Sequence, residues 1–397
     1  MILRMDDKKR HGAEATSREF ARYDQVRKPQ SYHLAEQDGT EAFDDEYRIR
    51  SCDIGRFLHG DAADRRTFAQ ELGAALQDIG FAILVGHDVD PSLYDDIQAR
   101  VAEMFTRTPL DQKLRFRAQR HGSINQGYFP ILETSDIHPD LVEGWVFCRR
   151  AFDLPDRLGP EQGSAAPAGA TDFRAEFWPD PKFEPIFRRL VVAHERLVLP
   201  VMQSLLAYLE HDPHLYDERL TRTNFGFRLN YYPPLATAAN DTRRAPDRTA
   251  SPGAPADEPG AARRPRSGRL LGHEDVGMFT FLPAPAIEGL QVLNRRNMKW
   301  VRLEAPRGSL VLNTGDYMQR ITNDILPSTT HRVSAPRDAA LRAVERISFP
   351  MNIYLWEDER LEVLPHLADP KYAPVRAIEF HTRSTSKFYG DDYAVTE

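Results

Sequence analysis

The stretch Leu271-Gly272-His273-Glu274-Asp275-Val276-Gly277, answered 58 residues after His273 by Ser328-Thr329-Thr330-His331-Arg332-Val333, decides how this chain is read. Side chains at i and i+2 of an extended segment project to the same side, so His273 and Asp275 can address one ion while Glu274 points away. His331, in a second β-like segment, adds another imidazole. Two neutral imidazoles and one carboxylate make a facial set that leaves coordination positions open, an arrangement suited to iron(II). His-x-Asp alone arises often by chance, so its weight depends on its surroundings.

Downstream, Arg346-Ile347-Ser348 opens the strand-like run that ends at Tyr354 and again places two polar side chains at i and i+2. A guanidinium fork and a hydroxyl on one face match a carboxylate held bidentately. Upstream, Arg228-Leu229-Asn230-Tyr231-Tyr232-Pro233-Pro234 sets Asn230 and Tyr232 on one side of a strand, an amide and a phenol able to complete hydrogen bonds to an oxoacid. The same run reads equally as an edge strand ended by two prolines.

Around these pieces the texture is β-rich from Phe225 onward, with short runs at 225–232, 277–282, 289–293, 299–304, 309–313, 329–334 and 346–355. Regular short strands separated by turns predict an antiparallel sandwich or barrel. The first half reads as helical. Phe68, Leu72, Leu76 and Ile79 recur at helical spacing, Gly80 stops them, and Phe81-Ala82-Ile83-Leu84-Val85 follows as a buried strand. Leu93, Ile97, Val101 and Phe105 mark a second helix. After a Gly/Ala/Pro loop at 159–170, Ile186, Leu190, Leu197, Val201, Leu205 and Leu209 mark a long third one, which Pro200 should kink.

Two segments lack a core-forming pattern. Residues 1–47 read as a polar arm, with order starting near Tyr47. Residues 236–268 contain no Phe, Trp, Tyr, Leu, Ile, Val or Met and read as a disordered loop inserted between two strands, a tolerated surface insertion.

Composition supports a well-packed protein: 397 residues, 41% hydrophobic, formal charge -7 with both signs interspersed. No clustered basic footprint for nucleic acid is present, so a small molecule is the expected partner, without nucleic acid, membrane or protein. Cys52 and Cys148 fit ordinary reduced thiols. The N-terminus breaks into charge before an apolar signal can form, and no apolar run reaches membrane-spanning length, so a cytoplasmic location is expected.

Taken together, these pieces resemble the plant and bacterial iron/2-oxoglutarate oxygenases related to isopenicillin N synthase. From about Tyr47 to Tyr354, the Asn-Tyr-Tyr-Pro strand, His-x-Asp, Gly289-Leu290-Gln291-Val292, Trp300-Val301, Asn313-Thr314-Gly315-Asp316, Thr330-His331-Arg332-Val333 and Arg-x-Ser follow in family order. The resemblance implies a mixed α/β fold with a mainly β core, a distorted double-stranded β-helix or jelly roll flanked by helices. It divides the chain into the arm 1–47, a helix-rich region 48–224, a jelly-roll core 225–356 and a C-terminal extension 357–397.

The resemblance also implies iron(II) on His273, Asp275 and His331, with 2-oxoglutarate and O2 as cosubstrates. Arg346 and Ser348 would grip the far carboxylate of 2-oxoglutarate. The expected reaction is oxidation of a small molecule, hydroxylation first among the possibilities, with release of succinate and CO2. An oxidase or ethylene-forming relative on the same iron site remains open, as does a non-enzymatic metal-dependent binder. Three departures stand out: Glu274 lies between the ligands where the family usually has Thr or Ser, His331 and Arg346 are 15 residues apart, several more than usual, and the 236–268 loop is unusually long. The Gly127-Tyr128-Phe129-Pro130 and Glu143-Gly144-Trp145-Val146-Phe147 segments, with Arg149 and Arg150, are candidate pocket walls. The tail from Ala377 to Tyr393 is read either as a cover for the site or as packing on the helical half.

Overall fold

The computed structural model describes residues 41–131, 140–155, 173–235 and 269–389. The 236–268 insertion, the 159–170 loop, residues 1–40 of the arm and the last residues of the C-terminal extension lie outside them.

Strand β1 (Ser51–Asp53) leads into helix α1 (Ala62–Ile79) through a reciprocal cap. The Asp61 carboxylate accepts from the backbone N–H groups of Ala63 and Asp64 at 2.7 and 3.0 Å, and Asp64 accepts from that of Asp61 at 3.2 Å. Phe68, Leu72, Leu76 and Ile79 then form one buried face, each contributing on the order of 1.5–3 kcal/mol from apolar burial. Gly80 ends the helix in the left-handed conformation at φ 73°, where a Cβ would stand 2.5 Å from the Pro327 carbonyl oxygen. Turn and close approach both require glycine there. Strand β2 (Phe81–Val85) follows as the sequence predicts.

Helix α2 (Pro91–Arg107) is followed by three strands that helical periodicity does not announce: β3 (Gln119–His121), β4 (Ile124–Phe129) and β5 (Glu143–Phe147). β3 is short and polar, while β4 and β5 are buried on both faces, so Tyr128, Phe129, Trp145, Val146 and Phe147 give an apolar run rather than an alternation. Helix α3 (Glu184–Tyr208) is long and apolar enough by composition to cross a membrane, but Phe187, Leu190, Val191, Leu197, Val201 and Leu205 are buried in the core and the helix packs on α1. It continues through Pro200, which has no N–H to offer the Arg196 carbonyl.

The second half supplies β6 (Asn224–Tyr232), β7 (Leu270–His273), β8 (Phe279–Pro283), β9 (Leu290–Asn294), β10 (Lys299–Arg302), β11 (Leu310–Thr314), the short helix α4 (Asp316–Ile321), β12 (His331–Val333), β13 (Arg346–Ser348), β14 (Met351–Tyr354) and the terminal helix α5 (Ala377–Tyr389). Among the described residues the large sheet runs β1-β2-β11-β8-β14-β6-β5-β4-β3, with β13 also beside β6. The small sheet runs β10-β9-β12-β7. From β7 to β14 the chain passes back and forth between the two sheets, which is the jelly roll expected from sequence. Strands β1 to β5 of the helix-rich region extend its large sheet.

Residues just before Tyr47 also pack on the fold. Glu41 accepts two hydrogen bonds from Arg332, at 2.6 and 2.7 Å, while the Arg332 guanidinium lies over Trp300 at 3.9 Å. Phe43 bridges to Trp300 and sits under Arg302. The end of the arm therefore docks on the back of the small sheet. The long β12–β13 connection holds a 3-10 turn at Ala340–Ala343.

Candidate active site

His273 is the last residue of β7 and pairs directly with His331, the first of β12, so the two imidazoles stand side by side with ring centroids 4.4 Å apart. Asp275 is in the loop after β7 rather than on the strand, which corrects the expectation of a continuous extended segment. Its position comes from hydrogen bonds instead. The Thr280 hydroxyl and the Asn313 amide both donate to Asp275 Oδ2, at 2.6 and 2.8 Å. Oδ1 then faces the histidines, 3.8 Å from His273 Nε2 and 3.9 Å from His331 Nε2. His331 Nδ1 lies 3.1 Å from the Thr329 carbonyl oxygen, which fixes the proton on Nδ1 and leaves Nε2 as a lone-pair donor.

The ligand atoms of all three residues lie within 4.8 Å of one another, and among the described residues no other group of His, Cys, Asp or Glu converges in this way. Ligand bonds of about 2 Å span up to about 4 Å across one ion, so the donor set fits a single metal. Burial alone would raise the Asp275 carboxyl, but His331 and His273 beside it and the bonds from Asn313 and Thr280 hold it below the ordinary carboxylate value. The carboxylate is thus ionised and ready to bind a cation.

Glu274 does not compete for that place. It accepts from Thr330 Oγ1 at 2.8 Å and from Arg295 Nη2 at 3.3 Å, so its charge is neutralised beside the small sheet.

The second constellation forms by strand pairing. Arg346 pairs with Tyr232 and Ser348 with Asn230 across β13 and β6, which gathers the four residues proposed from sequence on adjacent strands. Asn230 Nδ2 lies 3.4 Å from Ser348 Oγ, and the Arg346 guanidinium stands 5.0 Å from the Tyr232 ring centre. Arg346 is 1% exposed; its Nε donates to the Ile287 carbonyl at 3.1 Å, while its buried Nη1 has no hydrogen-bond partner. A buried guanidinium nitrogen without an acceptor fits a carboxylate ligand. All seven residues singled out from sequence line one cavity of about 210 Å³.

Of the candidate pocket walls, Phe129 and Val146 do line the cavity, whereas Arg149 pairs with Glu195 and Arg150 with Glu176. The described part of the C-terminal extension reaches the site, where α5 contributes His381 and Thr385 to the wall. Sequence reasoning passed over His381 and also Arg228, which shares the cavity face of β6 with Asn230 and Tyr232. Arg228 Nε donates to Asn230 Oδ1 at 2.7 Å. Its i, i+2, i+4 alignment with Asn230 and Tyr232 was the available signal.

A family profile described as the 2OG-Fe(II) oxygenase superfamily matches residues 224–351, and one described as the non-haem dioxygenase in morphine synthesis N-terminal region matches 49–180. The chain belongs to the 2OG-Fe(II) oxygenases. The family uses iron(II), 2-oxoglutarate and O2, and this oxygenase shares both its catalytic and its N-terminal regions. It is 27% identical to the 2-oxoglutarate-Fe(II) type oxidoreductase ppzC of Metarhizium majus, with 85% of this chain and 86% of that one covered. It is 26% identical to the 2-oxoglutarate-dependent dioxygenase ucsF of an Acremonium species, covering 83% and 96%. Among solved structures, a 2OG-Fe(II) oxygenase family protein from Caulobacter crescentus is 27% identical with a TM-score of 0.62, covering 87% of this oxygenase and 98% of that chain. A full-length Neurospora crassa protein, solved in complex with alpha-KG and 5-formyluracil, shares the fold at 20% identity and a TM-score of 0.63, covering 89% and 98%.

Proposed function

We propose that this oxygenase hydroxylates a small molecule, with iron(II) on His273 Nε2, Asp275 Oδ1 and His331 Nε2 and the distal carboxylate of 2-oxoglutarate on Arg346, Ser348 and Tyr232. The observation that carries the reading is a single cavity that holds both a three-ligand facial set and a buried guanidinium nitrogen without an acceptor. With metal and cosubstrate bound, the site would couple conversion of 2-oxoglutarate and O2 to succinate and CO2 to insertion of one oxygen atom into the prime substrate.

The chain's own part is positioning. Asn313 and Thr280 keep Asp275 Oδ1 turned to the histidines, and the Thr329 carbonyl keeps the His331 tautomer. Asn230 is itself held by Arg228 and hands its amide N–H to Ser348. The prime substrate would lie between β4, β14 and α5, where Asn125, Asn352, Tyr354, His381 and Thr385 offer hydrogen bonds and Arg228 a cation. Set among apolar walls such as Ile124, Phe129 and Val146, these groups suit a small molecule with a few polar groups on an apolar body. Both cysteines are buried and free, which fits a reducing, cytoplasmic setting as part of the same proposal.

Oxygen uptake and succinate release, measured with iron(II), 2-oxoglutarate and a panel of small-molecule candidates, test the reading. Substrate-dependent succinate in a one-to-one ratio with hydroxylated product is expected. Oxygen consumption without any succinate would instead assign the oxidase chemistry.

A further inference from the structure

Arg269 immediately precedes β7, and its side chain is 2% exposed. None of its three guanidinium nitrogens has a hydrogen-bond partner, and among the described residues no carboxylate is paired with it. Buried cations in proteins are held by acids or by several acceptors, so this arrangement calls for an anion from elsewhere.

The nearest charge makes the demand stronger. Arg346, the residue proposed above to hold 2-oxoglutarate, also has a buried Nη1 without a partner. Strand pairing brings the two to the same end of the jelly roll. Leu270, next to Arg269, pairs with Val333, and Tyr232 pairs with Arg346. Leu270, Val333 and Tyr232 pack together in one small apolar cluster. Burial, with repulsion from Arg346 added, pushes Arg269 down to about 10, and Tyr232 counters this in part. Arg269 and Arg346 are thus buried close enough to disfavour each other, and among the described residues neither is paired with a carboxylate.

We propose that Arg269 is a second arginine for the distal carboxylate of the cosubstrate, which is shared between Arg269 and Arg346 instead of resting on Arg346, Ser348 and Tyr232 alone. This rests on the cosubstrate reading of Arg346. The functional consequence is selectivity: an oxoacid without a distal carboxylate would leave two cations buried and unpaired, so the site rejects it more strongly than a single arginine would.

Calorimetric titration of the full chain loaded with manganese(II) in place of iron tests this without turnover. The probes are 2-oxoglutarate and 2-oxopentanoate, which has the same carbon chain but no distal carboxylate. In Arg269→Gln, affinity for 2-oxoglutarate should fall about tenfold or more, the worth of one charge-assisted hydrogen bond, while 2-oxopentanoate and manganese(II) bind as they do to the wild type. The metal-free variant should melt no lower than the wild type, because an uncompensated cation has been removed. Unchanged 2-oxoglutarate affinity, or an equal loss for both acids, overturns the proposal and leaves the Arg346 site standing. A wild-type protein that binds both acids alike sinks the cosubstrate reading of Arg346 itself, and the proposal with it. Should Arg269→Gln not fold, Arg269→Lys decides: weaker 2-oxoglutarate binding at an unchanged melting temperature supports a paired contact, and wild-type affinity rejects it.

Discussion

At the scale of single residues, the proposed ligand set depends on atoms that the fold leaves pointing inward while their neighbours are engaged. Asp275 is the clearest case, with Oδ2 taken by Thr280 and Asn313 and Oδ1 left facing two imidazoles. Asp275→Ala should abolish 2-oxoglutarate-dependent oxygen uptake and metal binding while the melting temperature stays within a few degrees; persistent turnover would mean another group holds the ion. Arg346→Lys keeps the charge and loses the fork, so it should weaken 2-oxoglutarate binding by about 1.5 kcal/mol or more and barely alter metal affinity. A parallel fall in both affinities would mark Arg346 as structural. These residues were legible because His-x-Asp and Arg-x-Ser repeat at strand spacing. Arg269 and His381 were not legible: a lone arginine beside a polar insertion and a histidine in a C-terminal helix carry no pattern, and only the fold buries the one near Arg346 and sets the other in the cavity wall.

Elements tell a similar story with different reasons. Helices α1 and α2, strand β2 and the run from β6 to β14 could be read because each shows a clean period and a recognisable stop, Gly80 being the sharpest. Strand β3 escaped because it is three polar residues long, and β4 and β5 because they are short and buried on both sides. Helix α3 holds a further consequence. His194, at its centre, is fully buried with Nδ1 unpartnered, and burial, with His87 adding, pushes it down to about 3. Unfolded, it titrates near 6.5. Between those values the unfolded chain takes up a proton that the native state refuses, so stability should fall with falling pH by up to about 1.4 kcal/mol per unit. Melting curves at pH 7 and pH 5 should show that loss in the wild type and a shallower one in His194→Gln; equal slopes would place the acid sensitivity elsewhere. Helix α5 poses a separate question. A chain ending at Arg376 should still bind manganese(II) and 2-oxoglutarate, but should lose substrate-coupled product formation, because His381 and Thr385 leave the wall. Full coupling in that variant would remove α5 from the substrate site.

Across the whole molecule, the boundary between a helical half and a β half proves to be one of sequence texture, since β1 to β5 continue the large sheet of the jelly roll. The 236–268 insertion enters after β6 and returns at Arg269, so it joins two strands of different sheets. Replacing it with a short Gly/Ser link while keeping Arg269 should shift the melting temperature by only a few degrees, because the segment has no large apolar side chain to bury. A drop of ten degrees or more would show that it packs against the fold. The pairing of β12 with β7 and of β13 with β6 also dictates an order of events during synthesis. A nascent chain that has emerged through Asp275 carries two of the three proposed metal ligands, and the third joins them only when β12 is made and pairs with both β9 and β7. The proposed cosubstrate grip comes later still, when Arg346 and Ser348 line up on β6. Chains cut short between Val333 and Arg346 would also lack β14, which lies between β8 and β6, so the proposed oxoacid grip and the closed large sheet arrive together with the last strands of the jelly roll.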